Sequence, residues 1–271
     1  MLCLPLCEPK PPTEPMSHRV PIRPLEFLRA QLGSVRSVYL GTDPTPQHHD
    51  YGGGKEVVLL LHGFFQTRNI WSTMERRLRR DGYAVMSFRL GGMLSRFNTR
   101  PIDKVARTVS DKVESLCQRH ELDALHIIGH SKGGLVGRRY IQNHGGDRRA
   151  MSLTTLGTPH RGTWTAALAT VPFTALGHGQ AIRELLPGSS TVRDIHGRCV
   201  PPHVAFTSIY SKSDLICPWR SAVLDGDASH GQSVEVSGLG HSELTWSPEV
   251  YREVKHRLEL ASVRYRSTGR H

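Results

Sequence analysis

Short apolar runs and amphipathic stretches alternate along residues 55–260, and that alternation predicts strands and helices in turn. Glu56-Val57-Val58-Leu59-Leu60-Leu61 reads as a buried strand, followed by a helix over roughly Ile70 to Arg80. Tyr83 to Leu90 reads as a second strand. Asp103 to Cys117 reads as a helix with Val105, Val109, Val113 and Leu116 on one face. Ala124-Leu125-His126-Ile127-Ile128 forms the next apolar run, and the apolar residues at 135, 136, 140 and 141 place a helix directly after it. Met151 to Leu156, Val204 to Tyr210 and Ser233 to Val236 read as further strands, and Pro248 to about Leu260 as a closing helix. Repeated βα units with buried apolar strands predict an α/β fold, a doubly wound and mostly parallel sheet with no internal repeat. Gly157 to Pro202 is too long for a simple connection. A helix around Thr163 to Thr170, then Phe173, Leu176, Ile182, Leu185 and Leu186, predicts a small helical cap segment over 157–202 beside the obligatory crossover helix.

What precedes and follows this region is different in character. Residues 1–54 read as an N-terminal leader, Pro-rich from Glu8 to Pro21 and loop-like from Asp43 to Gly54, with a short helix from Pro24 to Leu32. Its first residues lack a basic n-region and are broken by Glu8, Lys10 and prolines, so no export signal is expected, and Met16 is an alternative start. Residues 55–262 form the expected catalytic domain, and 263–271 a basic C-terminal tail. With 271 residues there is ample chain for one large core. No apolar run approaches the ~20 residues of a membrane span. Five cysteines with no CxxC pair suggest free thiols in a reducing compartment, hence a cytoplasmic location.

Chemistry enters at Gly129-His130-Ser131-Lys132-Gly133. A G-x-S-x-G turn between strand and helix strains the serine backbone and lifts its hydroxyl above the sheet, as a nucleophile elbow requires. Such a serine needs a base, an orienting acid and an oxyanion hole. His241, in Gly238-Leu239-Gly240-His241, follows the last expected strand, at the carboxyl end of the sheet, and is singled out by position from 16 histidines. His230 lies before that strand and His48-His49 in the leader. Asp214 follows the preceding strand; Asp225 and Asp227, flanking Gly226 in a turn, are rivals ranked below it. The oxyanion donors expected are the backbone N–H groups of Lys132, after the nucleophile, and Phe64, in Leu61-His62-Gly63-Phe64-Phe65-Gln66.

With those motifs the chain resembles small bacterial triacylglycerol lipases and related esterases of the α/β-hydrolase superfamily, over roughly residues 55 to 260. The resemblance is carried by Leu60-Leu61-His62-Gly63, Gly129-His130-Ser131-x-Gly133-Gly134, Thr155-Leu156-Gly157-Thr158-Pro159, Thr207-Ser208-Ile209-Tyr210-Ser211-x-x-Asp214 and Gly240-His241. It implies an α/β-hydrolase fold, Ser131, Asp214 and His241 as triad, and Phe64 and Lys132 as oxyanion donors. Two departures stand out: Phe65-Gln66 where those lipases carry a glycine soon after the HG pair, and Lys132 where they often have Met or Gln. The Lys132 side chain is expected to be solvated on the first helical turn.

The reaction so implied is hydrolysis of an apolar acyl ester through an acyl-enzyme, with Phe65, Phe173, Leu176 and Ile182 expected to help line the substrate pocket. It needs no metal or organic cofactor; the clustered histidines lack zinc-ligand spacing and no D-x-D-x-D-G loop is present. The same triad would also serve a thioesterase or amidase. The formal charge of +11, with Arg76-Arg77-x-Arg79-Arg80 and Arg138-Arg139, raises an alternative of another class: an inactive hydrolase fold that binds partners through a basic surface. No nucleic-acid-binding motif accompanies those arginines, so the expected partners are a small-molecule or lipid acyl ester and, weakly, an anionic membrane surface, with no obligate protein partner.

Overall fold

The computed structural model describes residues 51, 55–92, 97–167, 174–224 and 231–268. The expected leader helix, the turn bearing Asp225 and Asp227, His230, and Phe173 lie outside them. Within the described residues the chain runs β1 (Val57–Leu61), α1 (Ser72–Arg80), β2 (Ala84–Ser87), α2 (Ile102–His120), β3 (Leu125–His130), α3 (Lys132–Asn143) and β4 (Ala150–Leu156). It continues with α4 (Gly179–Arg183), α5 (Ser190–His196), β5 (Ala205–Ser211), α6 (Trp219–Ala222), β6 (Gly231–Val236) and α7 (Pro248–Ser267).

The strands form a 6-stranded sheet in the order β2-β1-β3-β4-β5-β6, and every neighbouring pair is parallel. Alternate residues of β1 feed opposite faces. Val57, Leu59 and Leu61 enter one core with Val105, Val109 and Val113 of α2 and Leu135, Val136, Tyr140 and Ile141 of α3. Val58 and Leu60 enter the other, with Met74 and Leu78 of α1 and Val250, Val254 and Leu258 of α7. The doubly wound sheet expected from the apolar runs is therefore what the chain builds.

Element ends follow local physics. β2 stops at Ser87, short of the expected Leu90, because its partner β1 ends one pair further on: Leu60 opposite Ser87 is their last match. α7 opens on Pro248 with the Ser247 hydroxyl accepting from Glu249 N at 3.2 Å. It continues through Ser267, taking in part of the expected tail. Ser262 Oγ donates to Glu56 Oε2 at 2.7 Å and Arg266 pairs with Glu56 at 3.3 Å, anchoring the extra turns. Cys117 and Cys217 are free and buried, but Cys199 is disulfide-bonded, which corrects the expectation of free thiols; sequence spacing does not reveal which thiols a fold brings together. Among the described residues no helix is long and apolar enough to cross a membrane.

The described part of the excursion from 157 to 202 is docked against α2 and α3. Ile182, Leu185, Ile195 and Val200 belong to the α2–α3 core, and α5 is held to α3 by the Arg139–Asp194 pair and by Gln142 Nε2 donating to the Ile195 carbonyl at 3.0 Å.

Candidate active site

Ser131 sits between β3 and α3 with φ 54 and ψ −127, a left-handed conformation for a non-glycine residue. Holding it there costs on the order of 1–3 kcal/mol, supplied by its surroundings. Its N–H donates to Leu156 O at 2.9 Å, and its carbonyl accepts from Thr158 Oγ1 at 2.9 Å and from Gly134 N at 3.0 Å. A Cβ on Gly133 would lie 2.0 Å from Leu61 O, so the elbow fits against β1 only with glycine there.

Asp214 follows β5 as expected. Its Oδ1 accepts from Ile216 N at 2.9 Å and Cys217 N at 2.8 Å, which leaves Oδ2 aimed at His241 Nδ1, 2.7 Å away. Both side chains are nearly enclosed, 1% and 8% exposed, so the pair is shielded from competing water. His241 is set by the turn after β6, where Gly240 N donates to Glu243 Oε2 at 2.7 Å. Asp214 and His241 both crowd Gly157: a Cβ there would stand 2.9 Å from Asp214 Oδ2 and 3.2 Å from His241 Nδ1. Gly157 directly follows Leu156, whose carbonyl holds the Ser131 amide, so Ser131, His241 and Asp214 converge on the end of β4.

The loop after β1 lies against Ser131, since a Cβ on Gly63 would come 2.8 Å from Ser131 Cβ. Gln66 Oε1 accepts from Gly63 N at 2.8 Å and lies 2.9 Å from His130 Nδ1. His130 Nε2 lies 2.9 Å from the His241 carbonyl, and the two rings are 4.5 Å apart. Burial pushes His130 well below the ordinary histidine value, and the neighbouring His241 and His62 push the same way. Burial likewise takes His62 down to about 4, so both rings stay neutral near pH 7. The Lys132 N–H opens α3, where the first amides have no carbonyl partner within the helix.

The expectation of a solvated Lys132 is overturned: the residue is 0% exposed. Side chains at a helix start lean back toward its N-terminus. Here that direction leads beneath the segment 98–100, where Nζ meets Asn98 Oδ1 at 3.2 Å and the Arg100 carbonyl. Asn98, completely buried, carries no sequence signal. Of the residues expected to line an acyl pocket, Ile182 is packed into the core and Leu176 is 59% exposed. Phe65, half-buried at φ 52, stacks on Phe97 at 4.6 Å. The described residues thus do not bring these together as one enclosed wall: helix α4 turns Ile182 inward, while Leu176 precedes that helix at the surface.

This architecture, with a strained serine after β3 and a His–Asp pair after β5 and β6, is the α/β-hydrolase fold. Residues 56–184 match the family model for the alpha/beta hydrolase fold. Among solved structures, the mature lipase BlEst2 of Bacillus licheniformis superposes with a TM-score of 0.59 at 15% identity, covering 81% of this chain and 94% of that one. A bromoperoxidase from Bacillus anthracis gives 0.56 at 17% identity, with 76% and 93% coverage. An esterase from Exiguobacterium antarcticum gives 0.53 at 17%, with 79% and 93% coverage. A curated relative, the probable lysophospholipase BODYGUARD 4 of Arabidopsis thaliana, is 24% identical over 116 residues, 41% of this chain. The match spans 27% of that relative's length. The chain therefore resembles the α/β-hydrolase superfamily over residues 56–184 and shares its fold with these bacterial enzymes.

Proposed function

We propose that this protein is a serine hydrolase of apolar acyl esters. The reading rests chiefly on the 2.7 Å Asp214–His241 pair at the β4 end where the strained Ser131 is held. His241 Nε2 takes the Ser131 proton as Oγ attacks the ester carbonyl, while Asp214 fixes the imidazole through Nδ1 and stabilises its cationic form. The tetrahedral oxyanion rests on the Lys132 and Phe64 N–H groups. His241 then protonates the departing alcohol, and water, activated by the same imidazole, releases the acyl group from Ser131.

The apolar substrate class is supported by the surface beside the acid. Leu215 and Ile216 next to Asp214 are 51% and 45% exposed, and Trp164 is 71% exposed. Thr163 and Thr165 hydroxyls both donate to the Ile216 carbonyl, at 3.0 and 2.6 Å, which fixes Trp164 beside that loop. An apolar rim of this kind suits acyl chains, each buried methylene contributing about 0.8 kcal/mol. A panel of p-nitrophenyl esters of rising acyl length, run beside acyl-CoA and anilide substrates, tests the reading. We expect kcat/KM to climb over the first several carbons and then level off. Preference for the thioester or anilide would move the assignment to thioesterase or amidase; a flat ester profile would leave a small-ester hydrolase.

A further inference from the structure

We propose that the Lys132 side chain is a positioning residue that ties the two halves of the oxyanion hole together, joining the start of α3 to the loop after β1. The inference rests on the reading of Ser131 as nucleophile and adds to it how the hole is held. Lys132 Nζ donates to Asn98 Oδ1 at 3.2 Å and to the Arg100 carbonyl, and stands 5.4 Å over the Phe64 ring. Asn98 in turn clasps the loop. Its Nδ2 donates to His62 O at 2.9 Å, its N–H to Gln66 O at 3.3 Å, and its carbonyl accepts from Phe65 N at 3.3 Å. Phe64 is enclosed by these bonds, with the lysine below its ring. Shifting reacting groups by about 1 Å costs on the order of a hundredfold in rate, so a tie of this kind has catalytic weight.

The tie depends on charge. Lys132 bonds through an ammonium that burial disfavours, and burial is the largest influence taking it down to about 7. Glu184 acts in the other direction, holding the proton on, and Arg100 adds to the lowering. His62 also faces the site but stays neutral near pH 7, burial having taken it to about 4. Below about 7 the ammonium makes charge-assisted bonds to Asn98 and Arg100; above it, the neutral amine bonds more weakly. Loosening of the hole then lowers kcat on the alkaline side.

The experiment compares wild type, Lys132→Met and Glu184→Gln by kcat and KM across pH 5–10, with hydrogen exchange of residues 62–66 as a readout independent of turnover. Methionine keeps the backbone N–H and the apolar stem while removing the ammonium. At pH 6 we expect Lys132→Met to lose kcat about tenfold to a hundredfold, with little change in KM, no loss of melting temperature, and faster exchange in the loop. Its alkaline limb should vanish. In Glu184→Gln, whose side-chain oxygen can still accept the Ile102 N–H that Glu184 now holds at 2.7 Å, the limb should move to lower pH. An unchanged alkaline limb in Lys132→Met, or unchanged exchange at 62–66, overturns the proposal. Failure of the hydrolase reading is separable: wild type would then neither turn over esters nor react with a fluorophosphonate, and the exchange comparison alone would decide on the tie.

Discussion

Gly157 stands where Asp214 and His241 approach most closely, at φ 52, and its missing side chain is what admits them. Gly157→Ala would strain the backbone and push a methyl into the pair. We expect kcat to fall on the order of a hundredfold with modest change in KM, checked by steady-state kinetics on a soluble short ester. Asp214→Asn should cost about four orders of magnitude by favouring the wrong histidine tautomer; replacing Asp225 and Asp227 should cost less than about tenfold, and the reverse ranking would move the acid assignment. Ser131, Asp214 and His241 were legible because each follows an apolar run at the carboxyl end of a strand, a local signal. Asn98 and the Lys132 side chain were not. Asn98 meets His62 and Lys132 across 36 and 34 residues of chain, and nothing in a polar loop announces such a contact. A charged side chain on a helix start is ordinarily solvated, so the sequence alone points this lysine outward.

At the scale of elements, the six strands and helices α1, α2, α3 and α7 stand in the expected order, the short helices α4, α5 and α6 add to those expected, and the expected helix at Thr163 to Thr170 lies partly outside the described residues; the other differences sit at element ends. β2 was overextended because hydropathy continues to Leu90 after the partner strand has stopped. β6 begins at Gly231, ahead of the expected Ser233, since as an edge strand it alternates little and its exposed residues hide its start. α7 was cut short because Arg264 and Arg266 read as tail, whereas cations in a last helical turn favour its carbonyl end. The same helix is held to the end of α1 by Asp81, which accepts from Tyr251 Oη and Lys255 Nζ, both at 2.9 Å. Hydrogen bonds from Lys255, Arg80 and Tyr251 hold the Asp81 carboxyl down at about 2 against an ordinary 3.8. A depressed carboxyl stabilises the fold above its unfolded value and loses that contribution as pH falls through the folded one. Asp81→Asn should therefore cost about 1 kcal/mol at pH 7. In thermal melts the gap from wild type should close as pH drops from about 4 towards 2.

For the whole molecule, the alternation of buried strands and one-faced helices specified the doubly wound sheet, because a two-sided core demands apolar residues throughout each central strand. The cap was less legible: apolar residues in the excursion do not reveal whether they face substrate or core, and Ile182 faces the core. The charge of +11 motivates the proposal of weak attachment to anionic lipid. Vesicles rich in phosphatidylglycerol should retain the protein at low salt and release it near 0.5 M, where the Debye length is only about 4 Å; equal retention on phosphatidylcholine alone would remove electrostatics from that picture. The central claim is that Ser131 is a nucleophile activated by His241 and Asp214. Its most direct test is reaction of the intact protein with a fluorophosphonate, followed by peptide mapping of the adduct. The account predicts a single adduct on Ser131, absent in Ser131→Ala and formed far more slowly in Asp214→Asn. Wild type that stays unlabelled, or an adduct that persists in Ser131→Ala, would contradict it.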